Sequence, residues 1–379
     1  MTIHRLLLLC ASTGLFATVG AAQRPRIMLT GYWPPTNEAV RHFSTDPVLN
    51  PGGWQGGNWE NRGYDVHSFF PTFVPPNCSN CGVGNGQLTV DYQDTSADFW
   101  QIANALQPIA IITFSRGDAG SSWEVEMNQY NRTSWVDDYV PPLQPTPSPP
   151  DASVPPNFLR QSTLPVQGIV NAVLQSGLPV APAICASGNG GGFLSEFIAY
   201  HGVWYQDLHR WPGDPAWCVA GGHIHVGDAI SFATARLAAE VSLRELIVHT
   251  DAVRANSTCQ ATLGFAGPGN ATFQICGGHL NVPGSVAELR VTGALPQALG
   301  VLAFGAGNNP TPLLGGTVVP LPAFWLALVT FDAQGTWRWP NGLATPPAPL
   351  PDVFTQVAWL APALPQGAGI TNALRVVLQ

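Results

Sequence analysis

Between residues 26 and 255, short apolar runs alternate with segments of helical periodicity, and beyond 255 that alternation stops. The runs at 26–30 (RIMLT), 108–114 (PIAIITF), 122–127, 180–185 and 220–226 read as strands. Segments 96–106, 164–176, 193–204 and 230–248 repeat apolar residues every three or four positions, as helices with one buried face do. Several strands are apolar almost throughout, the pattern of a strand covered on both sides. A chain built this way folds as a mostly parallel sheet with helices on both faces. Past residue 255, β-prone runs at 286–291, 299–303, 324–331 and 356–360 are split by Gly, Pro and Asn. They predict an all-β sandwich domain. The 379 residues therefore divide into a leader at 1–22, an α/β domain at 24–254 and a β-sandwich domain at 258–379. Segments 44–90 and 141–157 read as long loops, the second with eight prolines in seventeen residues.

The leader has the make-up of an export signal. His4 and Arg5 precede an apolar run at 6–19, and Gly20, Ala21 and Ala22 supply small residues for cleavage. The run is short for a membrane helix, and no later segment has the length and apolarity of one. Leu9 before Cys10 does not suit lipoprotein processing. The mature chain is thus expected to be secreted or periplasmic, without a membrane span. Six cysteines remain beyond the leader, an even number that favours disulfides in an oxidising compartment. Order along the chain suggests 78–81, 185–218 and 259–276. Cys78 and Cys81 form a C-x-x-C with no second copy, in loop-like surroundings, and read as a local staple. Charged residues make up only 10% of the chain, against the usual ~25%. All fifteen basic residues are Arg, the net charge is −8 and no basic tract exists, so no nucleic-acid partner is expected.

Three clusters carry chemical groups. In SGNGGGFLSEF (187–197) a strand runs through a glycine turn into a helix, and Ser187 and Ser195 are the hydroxyls there. A helix start offers unpaired N–H groups and partial positive charge, both useful to a developing oxyanion. GHIHVGD (222–228) closes an apolar strand, with His223 and His225 on one face, as alternate strand residues are. One histidine is a potential general base; both together are potential metal ligands. WEVEMNQYN (123–131) likewise places Glu124 and Glu126 on one face, where a carboxylate can orient a histidine. Taken singly, the clusters also fit a tight turn with a capping serine, a half-buried histidine pair and a solvated strand-end acid.

Their order and spacing resemble the pyroglutamyl peptidase I (pyrrolidone-carboxylate peptidase) family. RIMLTGYWP, PIAIITFSRG, EMNQYN, FLRQSTLPVQGIV, SGNGGGFLSEFIAY and GGHIHV occur in that family's order. The resemblance spans roughly 26–248 and is most specific at STLPV and IHV. It implies a three-layer α/β/α fold of the phosphorylase/hydrolase-like kind. It also implies a Cys–His–Glu triad acting on N-terminal pyroglutamate. Carried over, the Glu falls on Glu126, the His on His225 and the Cys on Ser195. Tyr32 matches an aromatic residue of the substrate pocket, whereas Pro35 stands where a second aromatic is expected. Val136 occupies the register of an Arg near the oxyanion, with Arg132 displaced from it.

The expected function is hydrolysis of a peptide or small amide by Ser195, His225 and Glu126, with no cofactor. Tyr32, Asn131, Gly190, Gly191 and Gly192 form the pocket and oxyanion site in this reading. A serine hydroxyl ionises far less readily than a thiol, so it needs the histidine as a true base. Two rivals stand beside it: a non-catalytic surface or binding protein, and a metal hydrolase using His223, His225, Glu124 and Glu126.

Overall fold

The computed structural model describes residues 23–378 except 77, 79, 80, 119, 189 and 349. The leader proposed at 1–22, Cys10 included, lies outside these residues.

The first part is a six-stranded sheet in the order β2-β1-β3-β8-β4-β7. Its strands are β1 (Arg26–Thr30), β2 (Asp65–Phe69), β3 (Ala110–Arg116), β4 (Ser122–Glu126), β7 (Ala181–Cys185) and β8 (Ala220–Val226). All neighbours run parallel except β4 and β8. Alternation along β1 sends Ile27 and Leu29 to one face and Met28 to the other. The first face packs against α1 (Thr36–Val40), α3 (Val166–Gln175) and α5 (Phe232–Ala255), the second against α2 (Tyr92–Leu106) and α4 (Leu194–Leu208). The result is the expected three-layer α/β/α arrangement. Full burial of a Phe, Leu or Ile here contributes ~1.5–3 kcal/mol, and Ile112, Phe114, Phe197 and Leu243 are all buried to 1% exposure or less.

Three strands were hidden by their surroundings. β2 lies within 44–90, and the pair β5 (Asn128–Tyr130) and β6 (Leu159–Gln161) closes the base of the proline-rich excursion between them. α2 begins at Tyr92, four residues before the apolar period suggests. Asp91 caps it, its carboxylate accepting from the Gln93 and Asp94 N–H groups at 2.8 and 2.9 Å.

β9 (Ser257–Cys259) follows α5 and opens an antiparallel β region. One sheet runs β17-β12-β11-β9, comprising β11 (Thr272–Gly278), β12 (Val286–Thr292) and β17 (Trp337–Ala344) besides β9. The other runs β10-β20-β18-β13-β16: β10 (Ala261–Gly264), β13 (Leu299–Gly305), β16 (Ala323–Thr330), β18 (Val353–Leu360) and β20 (Ala373–Val376). β19 (Ala368–Ile370) pairs with β18, and β14 (Asn308–Leu313) with β15 (Gly316–Pro320). Phe273, Ile275, Leu289, Leu302, Val357 and Trp359 form the core between the sheets. The two regions touch where the Arg290 guanidinium lies 4.0 Å over the Trp211 ring.

Disulfides join Cys78 to Cys81 and Cys259 to Cys276. They fit an oxidising compartment, and no helix among the described residues is long and apolar enough to cross a membrane. The third expected pair does not form. Cys185 ends the edge strand β7, whereas Cys218 precedes the central strand β8 and is buried under α4, and both are free thiols. Chain order is a poor guide to pairing when two strands lie apart in the sheet.

Candidate active site

The antiparallel join between β8 and β4 builds the polar centre. Its register sets Glu124 opposite His225 and Glu126 opposite His223. Diagonal neighbours on one sheet face are within reach of long side chains. Across that diagonal, Glu126 Oε1 stands 2.7 Å from His225 Nδ1. The contact is short, although Oε1 accepts no well-aligned hydrogen bond. Both side chains are buried, with exposures of 1% and 6%. Gln129 donates from Nε2 to the other carboxylate oxygen at 2.6 Å. Burial alone would raise the Glu126 pKa, but His225, His223 and Gln129 outweigh it and hold the carboxyl down at about 2. Glu126 is thus a carboxylate at any working pH.

His223 is held differently. Thr113 Oγ1 lies 2.8 Å from its Nδ1 and Ser115 Oγ lies 2.8 Å from its Nε2, so both ring nitrogens are engaged. Burial pushes its pKa down to about 3, with the neighbouring His225 adding to the effect. A neutral ring with both nitrogens bonded to hydroxyls is a structural element of the sheet. The four-ligand set suggested for a metal is not assembled around it, and the described residues contain no cluster of three or more metal-ligating side chains.

The glycine turn after β7 passes directly over His225. A Cβ on Gly190 would sit 2.7 Å from His225 Cε1, so only glycine fits there without displacing the ring. Gly191 and Gly192 take φ of 90° and 68°, in the left-handed region that favours glycine. The turn delivers the chain into α4, where Ser195 occupies the first turn and donates from Oγ to Gly190 O at 3.0 Å. Gly190 thus neighbours both Ser195 and His225, and the Ser195 hydroxyl is bonded to Gly190 O and not to His225. Ser187, the other hydroxyl of the motif, lies 3.2 Å from the Cys185 sulfur at the sheet edge.

Glu196 is a residue that the sequence did not single out. It is buried, forms an ion pair with Arg132 and accepts from the Gly192 N–H at 2.9 Å. Arg132 also donates to Gly188 O at 2.8 Å. This bracket fixes the glycine turn from within and occupies the Gly192 N–H, removing it from the expected oxyanion donors. The neighbours Arg132 and Glu196 are 64 positions apart, so no local pattern could announce them. Asn131, expected in the pocket, is instead turned into the protein. It clamps the proline-rich excursion, donating to Asp151 O and Pro155 O at 2.8 and 3.3 Å and accepting from Asp151 N at 3.1 Å.

Two cavities lie at the site, with Arg116 in the lining of both. One, of about 240 Å³, is lined by Glu124, Glu126, His225, Gly190, Gly191 and the 116–118 turn. The other is walled by Tyr32, Trp33, Phe193, Leu194 and Ser195. Tyr32 is pinned there by its hydroxyl, 2.6 Å from Thr95 Oγ1, and burial raises its pKa far beyond the working range.

No family model matches the chain, and no curated protein matches it either. Among solved structures it is similar to a variant of the pyrrolidone carboxyl peptidase of Pyrococcus furiosus. That match has 15% identity and a TM-score of 0.41, and covers 59% of this chain and 98% of that one. The pyrrolidone carboxyl peptidase of Thermococcus litoralis is similar at 14% identity and a TM-score of 0.43, over 60% of this chain and 96% of that one. These are distant likenesses of fold.

Proposed function

We propose that this chain is an exported hydrolase of peptide or amide bonds, with Ser195 as nucleophile, His225 as base and Glu126 as the group that orients His225. The observation that carries the reading is the buried His225–Glu126 contact at 2.7 Å, opening on a cavity one glycine peptide from a hydroxyl at a helix start. His225 Nε2 takes the Ser195 Oγ proton as Oγ bonds to the substrate carbonyl carbon. The carbonyl oxygen becomes an oxyanion. The N–H groups of Leu194 and Ser195 in the first turn of α4 have no partner within the helix and would receive it in this reading. His225 then gives the proton to the leaving amine nitrogen as the C–N bond breaks. Water, deprotonated by His225, cleaves the acyl ester and returns Ser195. Glu126, anionic throughout, stabilises the imidazolium. For the first step Ser195 Oγ must leave Gly190 O, to which it donates in this structure, and reach His225 Nε2.

The test is turnover of a panel of N-terminally blocked peptide amides, pyroglutamyl amides included. Ser195→Ala and His225→Ala are expected to abolish turnover, Glu126→Gln to lower kcat less, and Ser195→Cys to retain measurable activity. Wild-type turnover that survives Ser195→Ala unchanged would sink the assignment.

A further inference from the structure

The two cavities, taken as one cleft through their shared Arg116, differ in character. The Ser195 side is aromatic, with Tyr32, Trp33 and Phe193; the His225 side is acidic, with Asp118, Glu124 and Glu126. Arg116, the last residue of β3, lines both. Its guanidinium stacks 4.6 Å over the Trp33 ring, which aims it into the aromatic half.

What sets Arg116 apart is its lack of a counter-charge. Of the fourteen arginines among the described residues, twelve pair with a carboxylate or a tyrosine hydroxyl. The other two are Arg26, at the opposite end of the sheet where β1 begins, and Arg116. Asp228 is near enough to favour the Arg116 charge, but its carboxylate accepts from the Gly120 N–H at 3.2 Å. A part-buried guanidinium held on an aromatic face, with its N–H fork unspent, is preorganised for a planar anion. The chain contains no lysine that could serve instead.

We infer that Arg116 is a specificity residue that takes a carboxylate on the acyl side of the substrate. The site then favours amides of acidic acyl groups over neutral ones such as a lactam. The acidic half of the cleft complements this, since an amine leaving on the His225 side gains a proton and departs past Asp118 and Glu124. The inference rests on the hydrolase reading for which side is acyl, but the anion site itself does not depend on turnover.

The experiment compares glutaryl p-nitroanilide with its carboxamide analogue, using the full chain. Wild type is expected to prefer the carboxylate by ~10–100-fold in kcat/KM, the span of one hydrogen-bonded ion pair. In Arg116→Gln that ratio should fall close to one, and in Arg116→Lys it should be intermediate. Melting curves check that each variant is folded. A wild-type ratio near one, or a ratio unchanged in Arg116→Gln, overturns the inference while leaving the hydrolase reading intact. Calorimetry of glutarate with Ser195→Ala separates the two ideas. Glutarate binding that disappears with Arg116→Gln, in a protein that turns over no amide, supports the anion site and defeats the hydrolase. No turnover and no glutarate binding overturns both.

Discussion

At the scale of single residues, the site depends on an atom that is absent. Gly190→Ala would place a methyl group 2.7 Å from His225 Cε1 and 3.4 Å from Glu126 Oε1, displacing the ring proposed as the base. It is expected to lower kcat at least ~10-fold, the scale of a misplaced catalytic group. Gly191→Ala is the control. Its φ of 90° strains any other residue by ~1 kcal/mol, yet nothing lies within 4 Å of the added carbon. Melting temperature should therefore drop for Gly191→Ala, and kcat should drop for Gly190→Ala. Equal losses of kcat in both would mean that crowding of His225 is unimportant. The sequence places His223 with His225, and Glu124 with Glu126, because alternation along a strand is local. Which Glu meets which His depends on the β4–β8 register, and that is set by sheet packing. The resemblance was needed to select a pair. The Arg132–Glu196 bracket had no local signal of any kind.

At the scale of elements, the alternation of strand and helix was legible because it is driven by burial on both sheet faces. β2 was not, since its five residues are embedded in Gly- and Asn-rich loops and alternate with partly exposed ones. The direction of β4 was equally invisible, because an antiparallel strand inside an α/β sheet has the same composition as a parallel one. The element border makes a prediction. Every residue of the two cores flanking the first sheet precedes β9, the last being Val253 on α5. A chain ending at Ala255 is expected to unfold cooperatively and to keep the activity of the full protein. It loses the cover of Arg290 on Trp211, so a modest fall in melting temperature is expected. Circular dichroism and the amide panel check this; a truncated chain without a cooperative transition would show that the β region completes the first core.

At the scale of the whole molecule, acid should destabilise the fold well above the carboxylate range. His223 sits under hydroxyls, and His201 sits among Phe197, Trp100 and Trp204; burial pushes both pKa values down to about 3. Unfolded, each titrates near 6.5. Between those values the unfolded chain binds more protons than the folded one. The stability from both neutral rings is fully present above 6.5 and is lost as pH falls towards 3. With two such groups the slope reaches ~2.7 kcal/mol per pH unit. Glu126, at about 2 against 4.5, adds a loss in the same direction below pH 4.5. Urea midpoints measured from pH 7 to pH 4 should fall continuously, and His201→Phe should make the slope between pH 6 and pH 5 shallower. A flat profile over that interval would contradict the assignment. The excursion between β5 and β6 has a different consequence. Its two ends, Tyr130 and Leu159, are direct strand partners, and Asn131 fastens its far side at Asp151 and Pro155. Around Pro141, Pro142 and Leu143 it is exposed. For the protein engineer it is a ready graft point: foreign sequence inserted there begins and ends at one hinge, outside the six-stranded sheet.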